Sequence, residues 1–163
     1  MAVEHPDSSG LPGPEDVGSD LSIVQFNLTH EGFGLVLDFL SNWPPFADYD
    51  LKTMAEAIRR QLHHGYHLVA LRGTVIIGYA GWLLTTTEIG EAWLAGRGKL
   101  VAAPKERANA AALTTVAARE RAAVRLLIRG ARDRNPGKRI FFKRDGATGV
   151  RKTTVMNIVP GAD

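Results

Sequence analysis

The stretch LTTVAARERAAVRLLIRGARDRNPG, residues 113 to 137, constrains the fold more than any other part of the chain. The segment Leu113–Ala117 has the composition of a strand, and an arginine-rich helix over Arg119–Arg134 is predicted to follow it directly. Asn135, Pro136 and Gly137 end that helix, because proline cannot continue it. A strand that passes straight into an amphipathic helix predicts a layered α/β domain rather than a helical bundle.

The rest of the chain also alternates between strand and helix patterns. Asp50 and Gly65, for example, are the expected start and stop of a helix with apolar residues at helical spacing. The predicted elements are strand 21–29, helices 30–41 and 51–64, strands 66–71 and 74–84, a short helix 88–98, strand 113–117, helix 119–134 and strands 139–144 and 150–159. This order, β-α-α-β-β-α-β-α-β-β, predicts an α/β fold with a mixed central sheet and flanking helices, while 99–112 have no clear pattern.

The chain has 163 residues and no cysteine. This length suits one core, and the lack of cysteine excludes disulfides, thiolate nucleophiles and cysteine-based metal sites. Residues 1–20 contain five acidic side chains and no Lys or Arg, so we expect a disordered acidic tail followed by a single domain over 21–163. No apolar run reaches about 18 residues and the N-terminus lacks a signal peptide pattern, which predicts a soluble cytoplasmic protein.

Positive charge is concentrated in the C-terminal third. Residues 119–152 contain twelve Lys or Arg against three Asp or Glu, which predicts an acidic partner. Four arginines of the predicted helix share one face, away from its apolar residues: Arg121, Arg125, Arg129 and Arg132. This arginine stripe suits either a solvated face or the docking of an acidic protein. Nucleic acid is disfavoured, because no aromatic, Asn, Gln or Ser side chain interleaves with the arginines.

The order of elements resembles the acyl-CoA N-acyltransferase, or GNAT-like, fold. In enzymes of that fold the junction between the strand and the helix contains glycines, which let backbone amides surround the pyrophosphate of coenzyme A. Here the junction is Ala117–Ala123, which contains no glycine, and Glu120 is predicted to place a negative charge in the first helical turn, facing a phosphate. A coenzyme A cradle is therefore disfavoured.

A narrower resemblance covers about residues 33–159. Its segments are Ser41, Pro44-Pro45, Tyr49-x-Leu51, Ala57-Ile58, Gly65-Tyr66, GYAGW (78–82), LAGRG (94–98), Leu100, LTTVAA (113–118), Pro136-Gly137 and RIFFKR (139–144). In these segments the chain resembles the toxin-activating lysine acyltransferases, which transfer a fatty acyl group from acyl carrier protein to internal lysines of RTX protoxins. The resemblance implies acyl-acyl carrier protein as co-substrate, no tightly bound cofactor, a protein acceptor and a homodimer. Acyl carrier protein is acidic, so the arginine stripe suits its docking.

The chemistry of that family requires a His and an Asp, and Phe46 and Thr114 stand at those positions here. Neither side chain can accept a proton near pH 7. The candidates for catalysis are therefore Asp48 in the same loop as Phe46, Thr114 itself, Ser41 and His67. A histidine within a strand is also typical of a packed residue, so His67 has a structural alternative.

Three aromatic residues, Trp43, Phe46 and Trp82, are candidates for an acyl groove, although Trp82 in a strand is equally consistent with a core residue. His63 and His64 lie in the last turn of a predicted helix, where a histidine pair interacts with the helix dipole and faces solvent. His64 and His67 are three residues apart, but Gly65-Tyr66 interrupts the helix between them, so no metal site is predicted.

Three functions remain open from the sequence. The first is a protein-lysine acyltransferase of the toxin-activating type, which needs a base near Asp48 or Thr114 and an apolar groove. The second is a catalytically inactive relative that keeps the groove and binds an acyl carrier or a protein partner. The third is a polyanion-binding or nucleic-acid-binding module that uses residues 119–152 and needs neither.

Overall fold

The computed structural model describes residues 20–145 and 151–156. Its elements are strand β1 (Leu21–Val24), helices α1 (His30–Ser41) and α2 (Leu51–His64), strands β2 (His67–Arg72) and β3 (Val75–Thr85), helix α3 (Thr87–Leu94), strand β4 (Ala110–Ala118), helix α4 (Arg121–Asp133), and strands β5 (Arg139–Asp145) and β6 (Arg151–Met156). This order confirms the predicted fold class. The acidic tail lies outside the described residues except for Asp20, and the single domain over 21–163 stays a prediction.

The described strands form one six-stranded sheet in the order β1-β2-β3-β4-β5-β6. Every neighbouring pair is antiparallel except β4 and β5, which are parallel because α4 returns the chain between them. Helices α1 and α2 cover one face of the sheet, with Val69, Tyr79 and Ala117 beneath them. Helix α4 covers the other face. None of the helices in the described part of the chain is long and apolar enough to cross a membrane.

Helix α4 lies very close to the sheet. Its buried residues Ala123, Leu127 and Ala131 have no exposed surface, which confirms the predicted apolar side of this helix. Gly130 permits the close approach, because a Cβ there would lie 2.6 Å from Ile23 Cδ1 and 2.7 Å from Leu68 Cδ1. The small residues of α4 thus let its backbone contact the sheet, which positions the start of the helix beside the end of β4.

The boundaries of α2 are those that the sequence predicts. Asp50 Oδ1 accepts a hydrogen bond from the Thr53 amide at 2.9 Å, and Gly65 ends the helix with a positive φ of 68°. Strand β1, in contrast, ends at Val24 instead of residue 29. Gln25 and Phe26 leave the ladder, because the Gln25 side chain donates to Gly65 O at 2.6 Å and the Phe26 amide donates to His67 Nε2 at 3.0 Å.

Candidate functional site

Strands β4 and β5 diverge part of the way along their length. They pair only from Ala110 to Leu113 on β4 and from Arg139 to Phe142 on β5, while β4 stays paired with β3 as far as Ala118. From Thr114 onward the β5 side of β4 therefore has no strand partner among the described residues. Such an edge presents backbone N–H and C=O groups that can bind a ligand.

A β-bulge marks the point of divergence. Thr115 pairs with Gly81 and Leu113 pairs with Trp82, so Thr114 has no residue opposite it on β3. A bulge bends its strand and changes the direction of its side chains, and bulges are frequent beside active sites. The bulge thus places Thr114 where β4 leaves β5.

A cleft of about 620 Å³ lies along the unpaired edge of β4. Its walls come from the loop after α1, from α2, from the sheet and from the first turns of α4, and they are mainly apolar. Residues that form these walls include Trp43, Phe46, Met54, Ala57, Trp82, Val116 and Val124. The three residues proposed for an acyl groove, Trp43, Phe46 and Trp82, thus line one cleft together with Thr114.

The other candidates for catalysis do not line this cleft. Ser41 lies at the exposed end of α1 and donates its hydroxyl to Asp38 O at 2.8 Å. Asp48 is exposed in the 3-10 turn Phe46–Asp48. Among the described residues that line the cleft there is no Asp, Glu or His, so the cleft lacks a conventional general base.

His67 is fully buried beneath the sheet surface, and both its ring nitrogens have backbone partners. Nδ1 lies 3.1 Å from Gln61 O, to which it donates, and Nε2 accepts from the Phe26 amide at 3.0 Å. Burial lowers the pKa of the imidazole, and the hydrogen bonds from its surroundings oppose this shift only partly. His67 therefore joins the segment after β1 to α2 and β2 as a neutral structural residue.

Lowering the pH from about 7 to about 5 is expected to reduce the free energy of unfolding through His67. The unfolded chain binds a proton near the ordinary pKa of 6.5, whereas the folded protein resists protonation, so stability falls as the pH falls through that value. The loss is at most about 1.4 kcal/mol per pH unit. In urea unfolding, His67→Gln should reduce the change of the free energy of unfolding with pH, whereas the exposed His64→Gln should leave that change as it is in the parent. The same pH dependence in both variants and in the parent would contradict the assignment.

Gln61 is a buried polar residue that connects the core to the cleft. Its side-chain oxygen accepts from the Tyr79 hydroxyl at 2.8 Å, and its Nε2 donates to Thr114 Oγ1 at 3.2 Å. Gly81 makes room for this amide, since a Cβ at that position would collide with the end of the Gln61 side chain. Sequence reasoning did not identify Gln61, although its place on the apolar face of α2, three residues after Ile58, was an available signal.

The sequence predicts that Glu120 faces a phosphate, but its carboxylate faces Arg72 instead. Its carboxylate accepts from Arg72 Nε at 3.1 Å and from Arg72 Nη2 at 2.6 Å, and this guanidinium lowers the pKa of Glu120. The negative charge at the start of α4 is therefore paired with β2. Arg60 and Lys143 line the cleft, and Lys143 Nζ lies 4.4 Å from the centroid of the Trp93 ring, so the charged groups of the cleft are positive.

The arginine stripe is exposed along the outer face of α4. Arg132 lies 3.5 Å from Asp133, whereas no described acidic residue pairs with Arg121, Arg125 or Arg129. The stripe begins next to the cleft, because Ala118 and Val124 line the cleft at the start of the helix. In the described part of the chain no group of three His, Cys, Asp or Glu residues is arranged to hold a metal ion.

No protein-family model and no curated protein matches this chain. The solved structures that resemble it include two acetyltransferases. Diaminobutyrate acetyltransferase EctA from Paenibacillus lautus, in complex with L-2,4-diaminobutyric acid and coenzyme A, has a TM-score of 0.53 at 9% identity, over 78% of this chain and 68% of that one. A mosquito arylalkylamine N-acetyltransferase like 5b has a TM-score of 0.55 at 10% identity, over 79% and 78%. These similarities confirm that the chain has a GNAT-like fold.

Proposed function

We propose that the protein binds an acyl thioester in the cleft between β4 and β5 and transfers the acyl group to an amine. The observation that supports this most is the apolar cleft beside the unpaired edge of β4. The backbone amides of that edge suit the polar arm of the thioester, and the aromatic walls from Trp43, Phe46 and Trp82 suit a fatty acyl chain. Burial of each methylene of such a chain stabilises the complex by about 0.8 kcal/mol.

In the proposed reaction the amine nitrogen attacks the thioester carbonyl. A C–N bond forms, the C–S bond breaks, the thiol leaves, and the nitrogen loses one proton. We infer that Thr114 assists, because its oxygen accepts from Gln61 Nε2 at 3.2 Å, which leaves its O–H free to donate elsewhere. The hydroxyl would keep its proton and donate a hydrogen bond to the carbonyl oxygen as negative charge develops there.

Because the cleft has no carboxylate or imidazole, we infer that the amine reacts in its neutral form and loses its proton to water. For a lysine acceptor of ordinary pKa near 10.4, the value of kcat/KM should then rise about tenfold per pH unit from pH 6 to pH 9. Initial rates at amine concentrations well below KM and varied pH test this. A plateau above an inflection near pH 6 to 7 would mean that the protein supplies a base, contrary to the proposal.

We further propose acyl carrier protein as the donor and a protein lysine, of the RTX-protoxin kind, as the acceptor. The arginine stripe supports an acidic donor protein, because it is exposed and begins beside the cleft. The EctA structure contains coenzyme A, so coenzyme A is the rival donor. Glu120 is paired with Arg72, so its negative charge is partly offset. It therefore repels a phosphate at the start of α4 less than the sequence alone implies.

Two donors distinguish these cases: octanoyl-acyl carrier protein and octanoyl coenzyme A, each incubated with the protein and a lysine-containing acceptor peptide. Mass spectrometry should detect N-octanoyl-lysine, with equal release of thiol, and faster transfer from the carrier protein. A paired substitution, Arg125→Glu with Arg129→Glu, should slow transfer from the carrier more than from coenzyme A. Absence of both binding and transfer with either donor would overturn the proposal.

The absence of a base among the described lining residues specifically favours a second candidate, a non-catalytic protein that binds an acyl carrier. The same incubation separates the two. Saturable binding of acyl-acyl carrier protein, with the thioester intact after hours at pH 9 in the presence of the peptide, would establish the binding protein and exclude the transferase.

Replacing Thr114 by Val is expected to lower kcat about tenfold and to change KM little, since the hydroxyl assists the reacting carbonyl and the isosteric side chain keeps the cleft shape. Thr114→Ser, which keeps the hydroxyl, is the matched variant and should retain most of the activity. Steady-state rates with octanoyl-acyl carrier protein measure both. If Val and Ser variants lose kcat equally, the hydroxyl has no such role.

A further inference from the structure

A second cavity lies beyond the C-terminal end of α4, in contrast to the cleft, which borders the start of that helix. It has a volume of about 330 Å³. Four basic or potentially basic side chains line it, and no Asp or Glu does so among the described residues: His64, Lys105, Arg134 and Lys138. Three formal positive charges around a small cavity predict an affinity for an anion.

One of these cations is held in position. Arg134 Nη1 donates to Gln25 Oε1 at 2.5 Å. The Gln25 amide is itself fixed, because its Nε2 donates to Gly65 O at 2.6 Å and to His67 O at 3.2 Å. The guanidinium is therefore oriented by a chain of hydrogen bonds that ends on the backbone. Because the guanidinium is already oriented, binding of an anion loses less side-chain conformational entropy.

The end of a helix ordinarily repels an anion, because its last carbonyl groups are unpaired. At the end of α4 these carbonyls have donors within the protein. The Arg134 amide donates to Gly130 O at 3.1 Å, and Asn135 donates through its Nδ2 to Ala131 O at 2.7 Å and through its amide to Arg132 O at 3.0 Å. The local repulsion is thus reduced where the cations converge.

An aromatic wall forms another side of the cavity. Tyr66 stacks on His64, with their ring centroids 5.4 Å apart and their planes at 22°. Trp82 lines the same cavity, with its ring centroid 6.5 Å from that of Tyr66, and its buried Nε1 has no hydrogen-bond partner among the described residues. A flat ring beside the cations gives the cavity an apolar surface as well as a charged one.

We propose that this cavity is a binding site for a small phosphomonoester with a planar ring, whose phosphate contacts Lys105, Arg134 and Lys138 and whose ring packs on Tyr66. Apart from Trp82, which lines both, the described residues of this cavity and of the acyl cleft are different. It does not depend on the proposed acyl transfer, and its test uses no acyl donor.

Phenyl phosphate and inorganic phosphate are the probes, titrated separately into the ¹⁵N-labelled full chain at low salt. The indole N–H resonance of Trp82, assigned with Trp82→Phe, reports on the cavity. Saturable shifts are expected with both probes, with a lower Kd for phenyl phosphate. Lys138→Gln should raise that Kd about tenfold, because a charge-assisted hydrogen bond is lost. Tyr66→Leu should raise the Kd of phenyl phosphate and leave that of inorganic phosphate unchanged.

Lys52→Gln is the matched control. Lys52 is exposed at the first turn of α2, whereas the cavity lies at the end of that helix, about 18 Å away at 1.5 Å per residue. An equal rise in Kd for Lys52→Gln and Lys138→Gln would mean diffuse attraction to a basic protein and would overturn the proposal. So would linear, non-saturating shifts of the Trp82 indole, or a Tyr66→Leu variant that weakens both probes equally.

Discussion

Replacing Ala57 by Trp is expected to weaken the binding of an acyl thioester at least about 100-fold while the fold is retained. Ala57 is half-buried on α2 and lines the cleft, so the indole would fill the space of the acyl chain. Exclusion of about four methylene groups, at about 0.8 kcal/mol each, corresponds to a change of this size. Fluorescence anisotropy with a labelled octanoyl-pantetheine amide measures the affinity, and circular dichroism monitors the fold.

Ala55→Trp is the control for this substitution. Ala55 is half-buried in the same helix, two residues away, and does not line the cleft. The new side chain and the helix are the same in both variants, so general effects of tryptophan on α2 cancel. Ala55→Trp should therefore bind the probe with close to the parent affinity. Equal affinities for the two variants would mean that the acyl chain binds elsewhere.

Gly81→Ala is expected to destabilise the protein by about 2–6 kcal/mol. The added Cβ collides with the end of the Gln61 side chain, which must move and release both Tyr79 and Thr114. The buried Tyr79 hydroxyl would then lose its partner, which costs about 1–3 kcal/mol, and overpacking adds a similar amount. The free energy of unfolding in urea measures the loss.

Gly34→Ala is the matched glycine substitution. Gly34 is exposed in α1, and a Cβ there has no atom within 4 Å, so the change should stabilise the protein by about 0.5–1 kcal/mol. The double variant Gly81→Ala with Gln61→Ala should lose less stability than the two single changes together, because the collision is gone. Strict additivity would show that Gly81 is not required by Gln61.

The sequence predicts those parts of the fold that depend on local patterns. Asp50 caps the start of helix α2 and Gly65 caps its end, and both caps are properties of single residues. The arginine stripe and the apolar face of α4 follow from helical periodicity alone. Strand β4 is longer than predicted, because Ala110, Ala111 and Ala112 are buried by tertiary packing that overrides the weak strand propensity of alanine.

The cleft itself could be predicted only in part. Phe46 and Thr114 are singled out by the resemblance and Trp43 by its aromatic ring beside the Pro-rich loop, and all three line one cleft. The divergence of β4 from β5 and the bulge at Thr114 are properties of strand register, which local patterns do not specify. The bond between Gln61 and Thr114 joins residues 53 positions apart, and the burial of His67 depends on three elements, so neither was visible in the sequence.

The position of a bound acyl thioester tests the central claim most directly. Backbone amide shifts of the ¹⁵N-labelled chain can be followed as a non-hydrolysable octanoyl-pantetheine amide is added, a probe that both proposed donors have in common. The largest saturable shifts are expected at Leu113–Ala118 on β4, with smaller ones at Ala57 and Phe142 along the cleft. Saturable shifts confined to the arginine stripe or to β1 and β2, or no saturable shifts at all, would contradict the proposed acyl site.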